Sequence, residues 1–92
     1  MEDVAMTSEQ VRAARMMLRW EQKDLAAMSG VSLPTIKRIE TRPGRLSAAL
    51  ETIAALRMAF EDRGIEFING DKPGVVLHKD HKAAARKRGR TK

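Results

Sequence analysis

Apolar side chains recur every three or four residues along several stretches of the chain, a spacing that predicts amphipathic helices. The first stretch follows Thr7, whose hydroxyl can form a capping box with Gln10, and its helix is expected to run to about Arg19. The inner positions of this helix are Val11, Ala14 and Leu18. No such spacing precedes Thr7, so residues 1–6 are expected to be a disordered start.

Residues 22–40 predict two short helices joined by a tight glycine turn. Ser29 and Gly30 end the first helix, because glycine adopts a positive φ at almost no steric cost. Ser32 can cap the second helix, and Pro34 fits its first turn, where the missing N–H is no loss. The side chains expected to face inward are Leu25, Ala26, Met28, Ile36 and Ile39. The side chains that the second helix then turns outward are Leu33, Thr35, Lys37 and Arg38.

The C-terminal half predicts a loop, a longer helix and a hairpin. Residues 41–45 contain Pro-Gly and two arginines, which predicts a rigid basic loop. The next helix is expected from Ser47 to Arg63, with Gly64 at its end. The buried stripe of that helix is expected to be Leu50, Ile53, Leu56 and Phe60. Residues 65–78 contain β-branched side chains on both sides of Asn-Gly and Pro-Gly turn signals, which predicts a β-hairpin.

Two strands alone are barely stable in water, so this hairpin must pack on the helices or pair with a second copy of the chain. Pairing across a twofold axis is the preferred interpretation. The candidate dimerisation residues are Ile65, Phe67, Ile68, Val75, Val76 and Leu77. The chain then divides into a helical domain at 7–63, a dimerisation hairpin at 64–78 and a flexible tail at 79–92.

The formal net charge of +6 is unevenly distributed. Residues 12–45 hold eight basic and three acidic side chains, and residues 79–92 hold seven basic side chains against Asp80. Residues 46–78 are acidic, with three basic and five acidic side chains. The positive charge therefore falls on the two-helix motif and the tail, where a polyanion would bind. A purely solubilising role for the tail stays open.

Composition argues against several classes of function. The absence of cysteine excludes disulfides and thiolate metal sites, and His78 and His81 have no third ligand beside them, so no metal is expected. No cysteine nucleophile and no glycine-rich phosphate loop occurs, so neither an enzyme nor a cofactor is expected. No apolar run approaches the roughly 20 residues of a membrane span, and no signal-peptide pattern occurs, which predicts a cytoplasmic protein without a membrane partner.

The pattern QxxLAxxxGVSxxTIxxIE at residues 22–40 resembles the helix-turn-helix of the phage-repressor and Cro-like family, also called the xenobiotic-response-element type. The matching residues are Gln22, Leu25, Ala26, Gly30, Val31, Ser32, Thr35, Ile36, Ile39 and Glu40. The resemblance extends over about residues 8–63. It implies a mainly α, repressor-like domain of four to five helices that binds double-stranded DNA, followed here by the hairpin and the basic tail.

The resemblance also implies roles for individual residues. In this family the residue matching Gln22 contacts the DNA backbone. The further phosphate-contact candidates are Arg19, Lys23, Arg42 and Arg45. The base-contact candidates on the second helix of the motif are Leu33, Pro34, Thr35, Lys37 and Arg38. A buried ion pair between Arg15 and Glu40 is expected to hold that helix in place, the alternative being two independent surface charges.

The function that follows is a small transcriptional regulator, in its simplest form a homodimeric repressor on an inverted repeat. An activator would use the same motif. The rival class is the antitoxin of a toxin–antitoxin pair, which binds its own operator and a protein partner. RNA binding through the tail is disfavoured, because Trp20, Phe60 and Phe67 are the only aromatic residues available for base stacking.

Overall fold

A computed structural model describes residues 6–79 of the 92-residue chain. In this part, four helices precede two strands: α1 Ser8–Leu18, α2 Gln22–Ser29, α3 Leu33–Thr41, α4 Leu50–Glu61, β1 Ile65–Ile68 and β2 Gly74–Leu77. The prediction of a mainly helical domain with a short hairpin is confirmed. The predicted flexible tail lies outside the described residues from position 80 onward. None of the helices in residues 6–79 has the length and apolar character that crossing a bilayer needs.

Helix α1 begins at the predicted capping box. The Thr7 hydroxyl accepts a hydrogen bond from the Gln10 backbone N–H at 3.1 Å, and Gln10 Oε1 accepts one from the Thr7 N–H at 3.0 Å. Together the two bonds satisfy N–H groups that the helix itself leaves without partners. The helix ends at Leu18, where Arg19 adopts a left-handed conformation with φ 59°.

Met6 has a fixed place in the fold, so the prediction of a disordered start is wrong for this residue, and residues 1–5 of that prediction lie outside the described part of the chain. The Met6 side chain is fully buried in the core, and its carbonyl accepts a hydrogen bond from Leu46 N at 2.9 Å. Thr7 forms an isolated antiparallel bridge with Arg45, and Ser8 N donates to Gly44 O at 2.8 Å. This pairing joins segments about 40 residues apart, and it anchors the loop after α3 to the start of α1.

Helices α2 and α3 bury Leu25, Ile36 and Ile39 as predicted. The prediction that Met28 faces inward is wrong, because its side chain is 44% exposed. Met28 lies in the last turn of α2, where its sulfur contacts Arg63 Nη2 at 4.0 Å at the molecular surface.

Helix α4 is shorter than predicted at both ends. It begins at Leu50 instead of Ser47, because Leu46 pairs with Met6 and Ala49 keeps an extended backbone at φ −62°, ψ 149°. It ends at Glu61 instead of Arg63, and Gly64 follows with φ 95°.

The buried stripe of α4 also differs from the prediction at one position. Ile53, Leu56 and Phe60 are buried, whereas Leu50 is 69% exposed. At about 100° per residue, the three buried side chains fall within an arc of about 60°, and Leu50 lies a further 60° around the helix. Leu50 is therefore an apolar residue on the solvent face of the first turn.

Strands β1 and β2 form an antiparallel pair in which Ile65 lies opposite Leu77 and Phe67 opposite Val75. The hairpin packs between α1 and α4 and extends the core. Phe67 contacts Phe60 edge to face with ring centroids 5.8 Å apart, and Trp20 stacks on Phe60 with ring centroids 5.7 Å apart. The residues that line this core are Met6, Val11, Ala14, Leu25, Ile36, Ile39, Leu46, Ile53, Leu56, Ala59, Phe60, Ile65 and Phe67.

Candidate nucleic-acid interface

The turn between α2 and α3 is built by glycine and serine. Gly30 has φ 78°, which ends α2, and its N–H donates to Ala26 O at 2.9 Å. The Ser32 hydroxyl then accepts from the Thr35 N–H at 3.3 Å and caps α3. Pro34 occupies the first turn of α3, as the sequence predicts. These local signals fix where α3 starts and therefore which of its side chains face outward.

The outer face of α3 carries the predicted base-contact candidates. Pro34, Lys37 and Arg38 are exposed, and Leu33 and Thr35 are partly exposed. The Thr35 hydroxyl accepts a hydrogen bond from Ser32 Oγ at 2.9 Å, so its own hydrogen is still available to a ligand. This face therefore offers one hydroxyl donor, two cationic groups and two apolar surfaces.

Several cations around α3 have no carboxylate partner among the described residues. They are Arg19, Lys37, Arg38, Arg42 and Arg45, and all five are exposed. Four of the five lie within four residues of Arg15 or Glu40 in sequence, and these two residues are in direct contact. The unpaired positive charge is therefore grouped around the point where α1 meets the end of α3.

Arg15 and Glu40 form a bidentate ion pair. Arg15 Nε donates to Glu40 Oε2 and Arg15 Nη2 to Glu40 Oε1, both at 2.8 Å. The Glu40 side chain is only 5% exposed, and that of Arg15 is 15% exposed. Arg12 Nη1 also donates to the Glu40 carbonyl at 2.9 Å. The end of α3 is thus bound to α1 by two arginines, of which the sequence identified one.

Gln22 contributes to the same cluster. Its Nε2 donates to Glu40 Oε1 at 3.0 Å, which leaves the second hydrogen of that amide for another acceptor. Glu21 and Lys23 form an exposed pair at 3.6 Å beside this helix start. The Glu21 backbone N–H donates to Asp24 Oδ2 at 2.8 Å. The start of α2 therefore carries two carboxylates as well as the two phosphate-contact candidates Gln22 and Lys23.

The loop that holds Arg42 and Arg45 is braced by Glu9. The Gly44 N–H donates to Glu9 Oε1 at 3.1 Å. Hydrogen bonds from the backbone N–H groups of Glu9 itself and of Gly44 hold the pKa of the Glu9 carboxyl below its ordinary value of 4.5. The contact of Glu9 with this loop depends on the tertiary fold, and no local sequence pattern predicts it.

The dimerisation candidates divide into two groups. Ile65 and Phe67 are buried in the core of their own chain, whereas Ile68 and Val76 are about 40% exposed and Val75 and Leu77 are partly buried. His78 N donates to Gly64 O at 2.8 Å, so Gly64 and His78 form a hydrogen-bonded pair of the antiparallel ladder. Hydrogen-bonded and non-hydrogen-bonded pairs alternate along such a ladder, so the pairs of Ile65 with Leu77 and of Phe67 with Val75 are not hydrogen-bonded. Val75 and Leu77 therefore direct their backbone N–H and C=O groups to the outer edge of β2.

Within residues 6–79, no group of three or more His, Asp or Glu side chains is arranged to hold a metal ion. A family model described as helix-turn-helix matches residues 11–60, which include most of α1, all of α2 and α3, and all but the last residue of α4. No curated protein sequence matches the chain. The matched segment covers more than half of the chain and contains the glycine turn, the exposed face of α3 and the ion pair that holds it. The chain therefore belongs to the Cro-like, xenobiotic-response-element type of helix-turn-helix family, whose members are DNA-binding transcription regulators.

Proposed function

We propose that this protein is a homodimeric repressor that binds an inverted repeat in double-stranded DNA. The observation that carries the proposal is the group of exposed cations, without a carboxylate partner among residues 6–79, on α3 and around the ion pair between Arg15 and Glu40. Phosphate contacts by such cations supply affinity, and side chains on the outer face of a recognition helix supply sequence discrimination. We further propose that it acts in the cytoplasm, where it occludes a promoter.

Within α3, the strongest base-contact candidate is Arg38. A guanidinium can donate to O6 and N7 of one guanine, which is worth roughly 1–3 kcal/mol of discrimination. Lys37 and the Thr35 hydroxyl can add further polar contacts, and Leu33 and Pro34 can only pack against apolar groups such as a thymine methyl. Arg19, Arg42 and Arg45 then hold phosphates on either side, together with the free hydrogen of the Gln22 amide and Lys23.

The proposed dimer uses the outer edge of β2. A second copy related by a twofold axis would pair its own β2 with this edge. The exposed Ile68 and Val76 would then lie beside the interface between the two β2 strands. One small domain covers few base pairs, and two such domains on half-sites one helical turn apart, about 34 Å, cover enough for a unique site.

The test replaces Arg38 by alanine and measures binding to a selected site and to random duplex at the same salt concentration. We expect Arg38→Ala to reduce the ratio of specific to random affinity by roughly tenfold, and to weaken random binding much less. Arg63→Ala is the matched control, because Arg63 is an exposed arginine beyond the end of α4. Equal losses on both duplexes would exclude Arg38 as a base reader. Co-purification with an unrelated protein, with no sequence preference on DNA, would instead favour the antitoxin interpretation.

A further inference from the structure

Gln10 makes contacts that helix capping does not require. Its side chain is 3% exposed, and its Nε2 donates to the carbonyls of Ile68 at 2.8 Å and Gly74 at 3.0 Å. These two carbonyls belong to opposite strands, at the turn end of the hairpin. Because Oε1 accepts from Thr7 N, one amide joins the start of α1 to both strands of the hairpin.

The hairpin is therefore fixed at two separated points. At its base, Gly64 and the short turn after α4 hold it, and Ile65 and Phe67 are inserted into the core. At its far end, the Gln10 amide holds the strand ends beside the turn. A two-stranded unit attached only at its base could pivot, whereas attachment at both ends prevents that motion.

The same helix that holds the hairpin also holds α3. Gln10 lies near the start of α1, and Arg12 and Arg15 lie about half a turn and about one and a half turns further along the same helix. Both arginines bind Glu40 in α3. Arg12 donates to the Glu40 backbone carbonyl, and Arg15 forms the bidentate ion pair with the Glu40 carboxylate. Helix α1 therefore makes polar contacts with both units, with the hairpin through Gln10 and with the end of α3 through Arg12 and Arg15.

We infer that Gln10 is a positioning residue that sets the spacing between half-sites. The inference rests on the proposed function, in which β2 edges pair across the twofold axis. If the hairpin is fixed to α1 and α1 to α3, the two α3 helices of a dimer have one separation and one relative orientation. Releasing the hairpin turn lets the two domains tilt, so that operators with longer and shorter spacers bind almost as well as the preferred one.

The most informative variant is Gln10→Glu. A glutamate at this position keeps the capping box with Thr7, since Ser/Thr-x-x-Glu is a common form of that motif. The carboxylate cannot donate to the carbonyls of Ile68 and Gly74 and repels both of them. Gln10→Met is the second variant, because it keeps the length and volume of the side chain and removes the donor without adding a charge. Ile53→Val is the control for a small loss of stability in the core away from this contact.

The experiment measures affinity for inverted half-sites whose spacer is lengthened and shortened one base pair at a time. The wild type and Ile53→Val are expected to prefer one spacer, and both Gln10 variants are expected to reduce that preference roughly tenfold, as the loss of a buried hydrogen-bonding group implies. Affinity for an isolated half-site stays the same, because α3 is unchanged. If the wild type prefers one spacer and the Gln10 variants keep the same preference, the role of Gln10 is overturned, whereas the proposed dimer is not. A wild type with no spacer preference would overturn the proposed dimer and this inference with it.

Discussion

At the scale of single residues, Glu40 accepts hydrogen bonds from three different side chains in the candidate interface. Its two carboxylate oxygens accept from Arg15 and Gln22, and its carbonyl accepts from Arg12. Removing one partner of a buried ion pair leaves the other charge uncompensated, which usually costs more than the intact pair contributes. The stability of the domain should therefore depend on this carboxylate far more than on any carboxylate at the surface.

Glu40→Gln is expected to lower the free energy of unfolding by about 3 kcal/mol, because Arg15 then lacks a counter-ion in a largely buried position. Chemical denaturation at neutral pH measures this loss. Glu61→Gln is the comparison variant, since Glu61 pairs with Arg57 one turn away on α4, both side chains stay partly exposed, and such an i,i+4 helix pair contributes about 0.5 kcal/mol or less. Equal losses in the two variants would contradict the structural role given to Glu40.

Arg19 is a non-glycine residue with a positive φ, and the chain tolerates that conformation at the end of α1. Arg19→Gly is expected to raise the free energy of unfolding by up to about 1 kcal/mol, because glycine adopts the left-handed region without a Cβ clash. The same change should weaken DNA binding. It should also make the slope of log K against log salt concentration less steep by roughly one unit, as the loss of one phosphate contact implies. Arg19→Ala separates the effects, since it removes the charge and keeps the strain. Unchanged DNA binding by both variants would exclude Arg19 from the interface.

Glu9 gives the domain a defined response to acid. Because the pKa of its carboxyl is lower in the folded state than in the unfolded chain, the ionised form stabilises the fold. That contribution is complete above pH 4.5 and is lost as the pH falls through the folded-state pKa. Relative to Glu9→Gln, the wild type should therefore lose stability only below about pH 4.5. A difference between the two proteins that stayed constant from neutral to acid pH would contradict the bond between Glu9 and Gly44.

At the scale of elements, the helices whose starts depend on neighbouring residues could be predicted from the sequence. The capping box of α1 and the serine cap and proline of α3 act within three or four positions, and both starts are where the sequence indicates. The start of α4 could not be predicted, because it depends on Leu46 pairing with Met6 across about 40 residues. The candidate site shows the same difference between local and long-range features. The exposure of Lys37 and Arg38 could be predicted from helical periodicity, whereas the hydrogen bond from Gln22 to Glu40 could not, because it joins two helices.

The outer edge of β2 gives a prediction for the hairpin. Val75→Pro is expected to yield a folded monomer, because the lost N–H points away from β1 and the ladder inside the chain stays intact. Sedimentation at several concentrations measures the mass, and circular dichroism checks that the helices remain. Val75→Ala is the matched control, since it shortens the same side chain and keeps the backbone N–H at this position. A Val75→Pro protein with the mass of a dimer would place the dimer interface elsewhere.

At the scale of the whole molecule, charge and shape both suit a duplex. Residues 12–45 carry eight basic side chains against three acidic ones, whereas residues 46–78 carry three against five, so the domain is electrostatically polarised. Its longest dimension is 36 Å, close to the roughly 34 Å of one helical turn of DNA. In the proposed dimer, two copies side by side would present their α3 helices to successive major grooves on one face of the duplex.

The most direct test of the proposed function is selection of bound duplexes from a random DNA pool at physiological salt, with the enriched sequences read out by sequencing. A homodimer is expected to enrich one inverted repeat whose half-sites lie about one helical turn apart, since two α3 helices read the two halves. Enrichment of a single unrepeated half-site would contradict the dimer. A pool with no enriched sequence would contradict sequence-specific recognition through α3, the central claim.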